Sequence, residues 1–171
     1  MLEQSNSNNR VLASERKVYA AEMGKTRQVA ALPVQFEQDG ALRVMLVTSR
    51  ETRRYVIPKG WPWPGLKAHK AAAKEAREEA GIVGRIGKKS IGAYTYVKRL
   101  TGSETPVRVR VFLMSVDQLL DTWPEQDQRK REWFTPTAAA AAVDEPELAE
   151  IIRKLDEPNS IHVGRLKIAG Q

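Results

Sequence analysis

The chain has 171 residues, 42% hydrophobic and 29% charged, which fits one domain of ordinary globular composition with a sizeable core and excludes fibrous and disordered classes. It has no cysteine, so disulfides, thiolate metal sites and cysteine nucleophiles are excluded, and no apolar run is long enough to cross a bilayer. The formal net charge is +7, and all of the surplus lies between residues 17 and 155, because residues 1–16 and 156–171 each balance to zero.

In chain order, residues 1–16 are Asn- and Ser-rich without periodicity and read as a disordered tail, with a short ordered stretch near 18–23. The N-terminus lacks the apolar centre of a signal peptide, so cytoplasmic residence is expected. Residues 28–37 read as a strand, in which Pro33 suggests an edge position or a bulge. Asp39-Gly40 marks a hairpin turn and 42–50 the returning strand; 54–57 forms another brief strand. After the helical region described next, a strand is expected at 91–98 and a loop at 100–106. The clearest strand is 107–116, with Val107, Val109 and Val111 on one face and Arg108 and Arg110 on the other. A short turn or helix at 117–123 and a polar loop at 124–131 follow. Pro136 and Pro146 then open two helical pieces, the second placing Leu148, Ile151, Ile152 and Leu155 at core-facing spacing. The remaining residues, 156–171, read as a tail, leaving 17–155 as the folded domain. Strands mixed with a central and a C-terminal helix give an α+β class.

The stretch from Gly60 to Ile82 organises the rest. Pro62 and Pro64 keep its first part out of a helix, strong helix formers begin near Lys67, and Gly81 is placed as a C-terminal stop. On that helix Glu75, Glu78 and Glu79 fall within about 100° of one another, with Ala68, Ala71 and Ala72 extending the same face. Ala73, Ala76 and Ala80 offer a small apolar side for packing. Crowded carboxylates repel, so a structural helix gains nothing from this spacing. A Mg²⁺ ion would remove the repulsion, since it takes one or two carboxylates together with substrate phosphates. Glu- and Lys-rich helix faces are more often simply solvated, and spacing alone does not decide between the two.

The same 23 residues resemble the Nudix hydrolase box, G-x5-E-x7-R-E-U-x-E-E-x-G-U, where U is a bulky aliphatic residue. Gly60, Glu75, Glu78, Glu79, Gly81 and Ile82 are in register; Leu66 stands in place of Glu, Lys74 in place of Arg, and Ala76 is small for the first U. Loss of the acid together with weakening of the base fits a structural ion pair that braced the loop, which packing by Leu66, Trp61 and Trp63 is expected to replace. Further resemblance, at 27–36, 45–60 and above all RKREWF at 129–134, is to the diphosphoinositol polyphosphate phosphohydrolases. The family implies a mixed sheet sandwiched between helices and Mg²⁺-assisted attack of water on a phosphoanhydride, with Mn²⁺ as a substitute metal. By carry-over Glu75 and Glu79 ligate the metal, and Glu78 is a further ligand or the base that orients water. Lys25, Arg27, Ser49, Arg50, Lys59, Gly60, Arg110 and Lys130 are the candidates for binding substrate phosphates.

The substrates so implied are small polyanions, either diphosphoinositol polyphosphates or dinucleoside polyphosphates. For a nucleotide, Trp61, Trp63 and Tyr55 offer a stacking platform, against simple packing of the loop. Hydrolysis of 5′-triphosphate RNA ends is a third possibility, and otherwise no nucleic-acid motif is visible and no membrane partner is expected. A monomer or homodimer is expected. The box departures leave open a binding module with little turnover.

Overall fold

The structure is a computed structural model that describes residues 27–157; the expected N-terminal tail, the ordered stretch near 18–23, Lys25 and most of the C-terminal tail lie outside the described residues. Eight strands form one mixed sheet: β1 (Arg27–Phe36), β2 (Leu42–Thr48), β3 (Tyr55–Val56), β4 (Lys59–Gly60), β5 (Ile82–Ile86), β6 (Gly92–Leu100), β7 (Ser103–Leu119) and β8 (Arg131–Phe134). The helices among the described residues are α1 (Ala68–Ala80), α2 (Pro136–Ala142) and α3 (Pro146–Arg153), the last ending in a 3₁₀ turn at Lys154–Asp156. The α+β expectation is met as a three-layer sandwich.

The long strands run β2-β1-β7-β5 through the sheet centre, with β1 and β7 parallel and the remaining pairs antiparallel. Alternation along β1 sends Ala30, Leu32 and Val34 to the face covered by α2 and α3, and Val29 and Ala31 to the face covered by α1. Strand β7 does the same: Val107, Val109 and Val111 join the first core and Phe112 and Met114 the second. The α1 core is built from Ala71, Ala72, Ala76 and Ala80 against Val29, Met45 and Phe112, so small side chains let this helix lie close to the sheet. Leu148, Ile152 and Leu155 are buried as expected, and Ile151 packs partly buried against them.

Several expectations change. Pro33 is not at an edge: β1 lies between other strands, and Pro33 keeps register with Met114 without a bulge. It is tolerated because it sits where β1 changes partners on its other side, from β4 at Val29–Ala30 to β2 at Val34–Phe36. The loop expected at 100–106 is mostly strand. A turn at Thr101–Gly102, with Gly102 at φ +81°, joins β6 to β7, and Pro106 pairs with Val97. Residues 117–119, expected as turn or helix, extend β7 instead. Three strands escaped the sequence reading. Both β4 and β8 are too short for periodicity to reveal, and β5 contains Gly84 at a register shift against β7.

No helix among the described residues is long and apolar enough to cross a membrane. Gly84 is required by close approach: a Cβ there would overlap the Ser115 carbonyl oxygen, which is backbone and cannot move aside. Gly84→Ala is therefore expected to cost about 1–3 kcal/mol, in the range of other overpacked positions. Chemical denaturation of the variant checks this, and an unchanged midpoint would show that the bulge can relax.

Candidate functional site

Helix α1 starts after Lys67, whose backbone is extended, and ends on Gly81 in the left-handed conformation (φ +63°). Its C-terminal carbonyls are capped by side chains from elsewhere: Trp123 Nε1 donates to Glu79 O (3.2 Å) and Arg131 Nη1 to Ala80 O (2.8 Å). Arg131 also donates to Leu120 O and stacks over the Trp123 ring. A guanidinium at a helix C-terminus complements the helix dipole, so one arginine satisfies carbonyls and charge together.

This anchoring turns Glu75 and Glu79, one turn apart, inward onto the sheet, where both are more than nine-tenths buried. The glutamate face and the packing face expected as separate are thus largely one face. Glu75 lies against the backbone of Gly60, where a Cβ would fall 2.5 Å from Oε2 and closer still to Cδ and Oε1. Only glycine fits that strand position while the carboxylate stays in place. Glu79 Oε1 accepts from Arg129 Nη2 (2.9 Å) and Oε2 from the Lys59 N–H (3.2 Å). Burial pushes the Glu79 carboxyl up to about 7; Arg129 and Lys59 pull it down, while Glu75 and Glu125 push it further up. Burial also lowers the Lys59 ammonium from its ordinary value. Charge at this spot is costly, and additional positive charge is what would favour it.

Glu78 stands apart from the other two. It is half-buried at the outer side of α1, ion-paired with Lys74, while Lys74 Nζ also sits 4.7 Å from the centre of the Trp63 ring. That cation–π contact now ties loop to helix. Leu66, expected to help, is instead exposed, because position 66 faces away from both cores.

Of the expected phosphate ligands, Gly60 and Lys59 form β4 at the carboxylates, with Lys59 Nζ 5.2 Å from the Tyr96 ring centre. Arg110 and Gly60 flank Val29 on the same rung, and Arg110, like Arg27, is exposed. Arg110 packs its guanidinium over Phe112, on the α1 side of the sheet. Ser49 and Arg50 follow β2: Ser49 Oγ bonds Thr52 Oγ1, and Arg50 lies 3.9 Å from Glu125. Lys130 has an exposed side chain on a backbone fixed by two bonds to Thr48, one to its carbonyl and one from its N–H. Of the aromatic trio, Tyr55 is committed to Phe134 and Glu132, Trp61 lies beneath Lys98, and Trp63 packs on the α1 side.

Arg129 is the residue the sequence reading missed. In the polar loop expected at 124–131, Arg129 is buried against Glu79 and Arg131, already in β8, caps α1, while Glu132 accepts from Tyr55. No local signal marks Arg129: it is turned inward by its bonds to Thr48 O and Glu79 Oε1, residues distant in the chain.

Among the described residues no group of three or more acidic or histidine side chains forms a ready-made metal cage. Two buried all-oxygen carboxylates one helical turn apart, over a backbone that glycine leaves open, nevertheless fit a hard divalent ion that keeps sites for water and phosphate. Gly60→Ala should keep the protein folded, because only a flexible side-chain end is in the way, while pushing Glu75 aside. Its melting temperature is expected near the wild-type value and its Mn²⁺ affinity at least tenfold weaker by titration calorimetry. Equal affinity would show that Glu75 does not need this backbone.

A family model for the NUDIX domain matches residues 25–155. Nudix hydrolase 17, mitochondrial, of Arabidopsis thaliana is 29% identical over 125 residues, covering 70% of this chain and 67% of the relative. Diphosphoinositol polyphosphate phosphohydrolase 3-alpha of Mus musculus is 29% identical over 136 residues, covering 77% and 79%. In three dimensions the C. elegans Ap4A hydrolase aligns with a TM-score of 0.59 at 20% identity, over 77% of this chain and 96% of that one, a likeness of fold.

Proposed function

The chain belongs to the NUDIX domain family and is a phosphoanhydride hydrolase, and from that premise we propose that it is a Mg²⁺-dependent enzyme acting on diphosphoinositol polyphosphates. The observation that carries the metal part of this reading is the buried Glu75–Glu79 pair against Gly60. These two carboxylates would hold the ion, with Mn²⁺ able to substitute. When bound, the ion would supply charge neutralisation to the phosphoryl oxygens, which is most of what phosphoryl transfer requires.

The chain's own residues do the rest. Gly60 keeps the backbone open beside Glu75. Glu78, at the helix surface and within reach of solvent, is suited to orient the attacking water, with Lys74 as its partner. Lys59 gives Glu79 its backbone N–H and holds its ammonium over the Tyr96 ring, and Lys130 offers an exposed cation from a fixed backbone. Arg27 and Arg110 extend the positive surface along the rungs that lead to Gly60. Just past the end of β2, Arg50 lies beside Glu125 and Ser49 bonds Thr52. The reading takes 17–155 as the catalytic unit, in the cytoplasm, as a monomer or homodimer.

The inositol substrate is favoured by the number of separated cations and by similarity to the mouse phosphohydrolase. A dinucleoside polyphosphate is the second reading, favoured by the cation–aromatic pairs Lys98–Trp61 and Lys59–Tyr96, which offer ring faces to a base.

The test is phosphate release, with Mg²⁺ and with chelator, from a diphosphoinositol polyphosphate, a diadenosine polyphosphate, a nucleotide sugar and a 5′-triphosphate RNA. The first is expected to turn over fastest, and only with Mg²⁺; preference for the RNA or the nucleotide sugar would overturn the substrate reading. Glu79→Gln is expected to lower turnover at least tenfold with its circular dichroism spectrum unchanged, and equal activity would remove the metal assignment. Lys130→Ala is expected to weaken binding of the diphosphoinositol substrate more than that of the nucleotide sugar. Identical losses would make Lys130 a structural residue.

A further inference from the structure

Every nitrogen of the Arg129 guanidinium is engaged. Nη2 donates to Glu79 Oε1 at 2.9 Å, Nη1 to Thr48 O at 3.2 Å and Nε to Glu125 Oε2 at 2.5 Å. Both oxygens of Glu79 already accept protein hydrogen bonds, one from Arg129 and one from the Lys59 N–H. A second cation at Glu79 therefore has to share the carboxylate with a buried guanidinium or take it over. Two cations on one buried carboxylate repel, and sharing is the costlier arrangement.

The structure also supplies a place for the guanidinium to go. Glu125 holds it through a separate nitrogen, is itself less buried, and lies on the same loop, where the Arg129 N–H donates to its carbonyl. Arg129 can give up Glu79 and stay paired. We propose that Arg129 is a displaceable internal counter-cation: it neutralises Glu79 until a divalent ion takes that carboxylate, and Glu125 then retains the guanidinium. Arg129 is on this account a positioning residue that sets the threshold for metal binding. The proposal rests on the reading of Glu79 as a metal ligand.

Mn²⁺ binding to the whole protein, followed by electron paramagnetic resonance of the free ion, separates the two ideas without any substrate. Arg129→Met is expected to bind Mn²⁺ at least tenfold more tightly than wild type. Equal or weaker affinity overturns the displacement, and no binding by either protein overturns the metal reading as well. Glu125→Gln, which removes the holding partner, is expected to weaken Mn²⁺ binding, and that effect should vanish in the Arg129→Met background. If it persists there, Glu125 meets the ion itself and the handover is wrong. Should Arg129→Met not fold, Arg129→Lys decides. Its shorter ammonium loses the Thr48 and Glu125 contacts, so it should bind Mn²⁺ more tightly than wild type; weaker or unchanged binding overturns the proposal.

Discussion

A carboxylate buried one helical turn from another is an unstable arrangement unless donors and cations are built around it. Glu79 has them on two sides, from Arg129 and from the β4 backbone at Lys59. Much of the surrounding structure can be traced to holding those donors in place. Thr48 at the end of β2 takes Nη1 of Arg129 and pairs with Lys130, so the loop before β8 is fixed to the sheet. The Glu125 N–H donates to Glu78 O, which fixes the same loop to the helix. Losing Arg129 with no ion in its place leaves the buried Glu79 charge uncompensated, at a cost of about 3–5 kcal/mol, whereas Arg129 without Glu79 still has Glu125. The pair's value lies less in stability than in keeping Glu79 aimed at one spot.

The box departures make sense in this frame. With Leu66 in place of an acid, the base at 74 has no loop carboxylate to grip. Lys74 turns instead to Glu78 on its own helix and to the ring of Trp63 in the loop. The loop is thus held by aromatic contact, while Arg129 reaches the helix from the opposite side. The family match over residues 25–155 shows that the altered box still belongs to a Nudix hydrolase domain.

The helix and its boundaries were legible because Pro, Ala and Gly act locally: Lys67 and Gly81 are its caps. The alternation of Val107, Val109 and Val111 was legible for the same reason, as was the amphipathic spacing of α3. What could not be read were features decided by distant partners. Strands β4 and β8 exist because β1 and β2 present free edges to them. The segment 103–106 is polar and carries a proline, yet it is drawn into strand by pairing with β6. In the site, spacing placed three glutamates on one face, but tertiary contacts divided them, turning Glu75 and Glu79 inward and leaving Glu78 to Lys74. The inward turn of Arg129 depends on contacts with residues 48 and 79, which no local pattern encodes.

The central claim is that Glu75 and Glu79 together hold the ion on which hydrolysis depends. The most direct measurement is anomalous diffraction from crystals soaked in Mn²⁺. The account predicts a peak bonded to carboxylate oxygens of both residues, at about the 2.0–2.1 Å typical of the Mg²⁺ it stands in for. A peak elsewhere in a protein that still hydrolyses its substrate would contradict it.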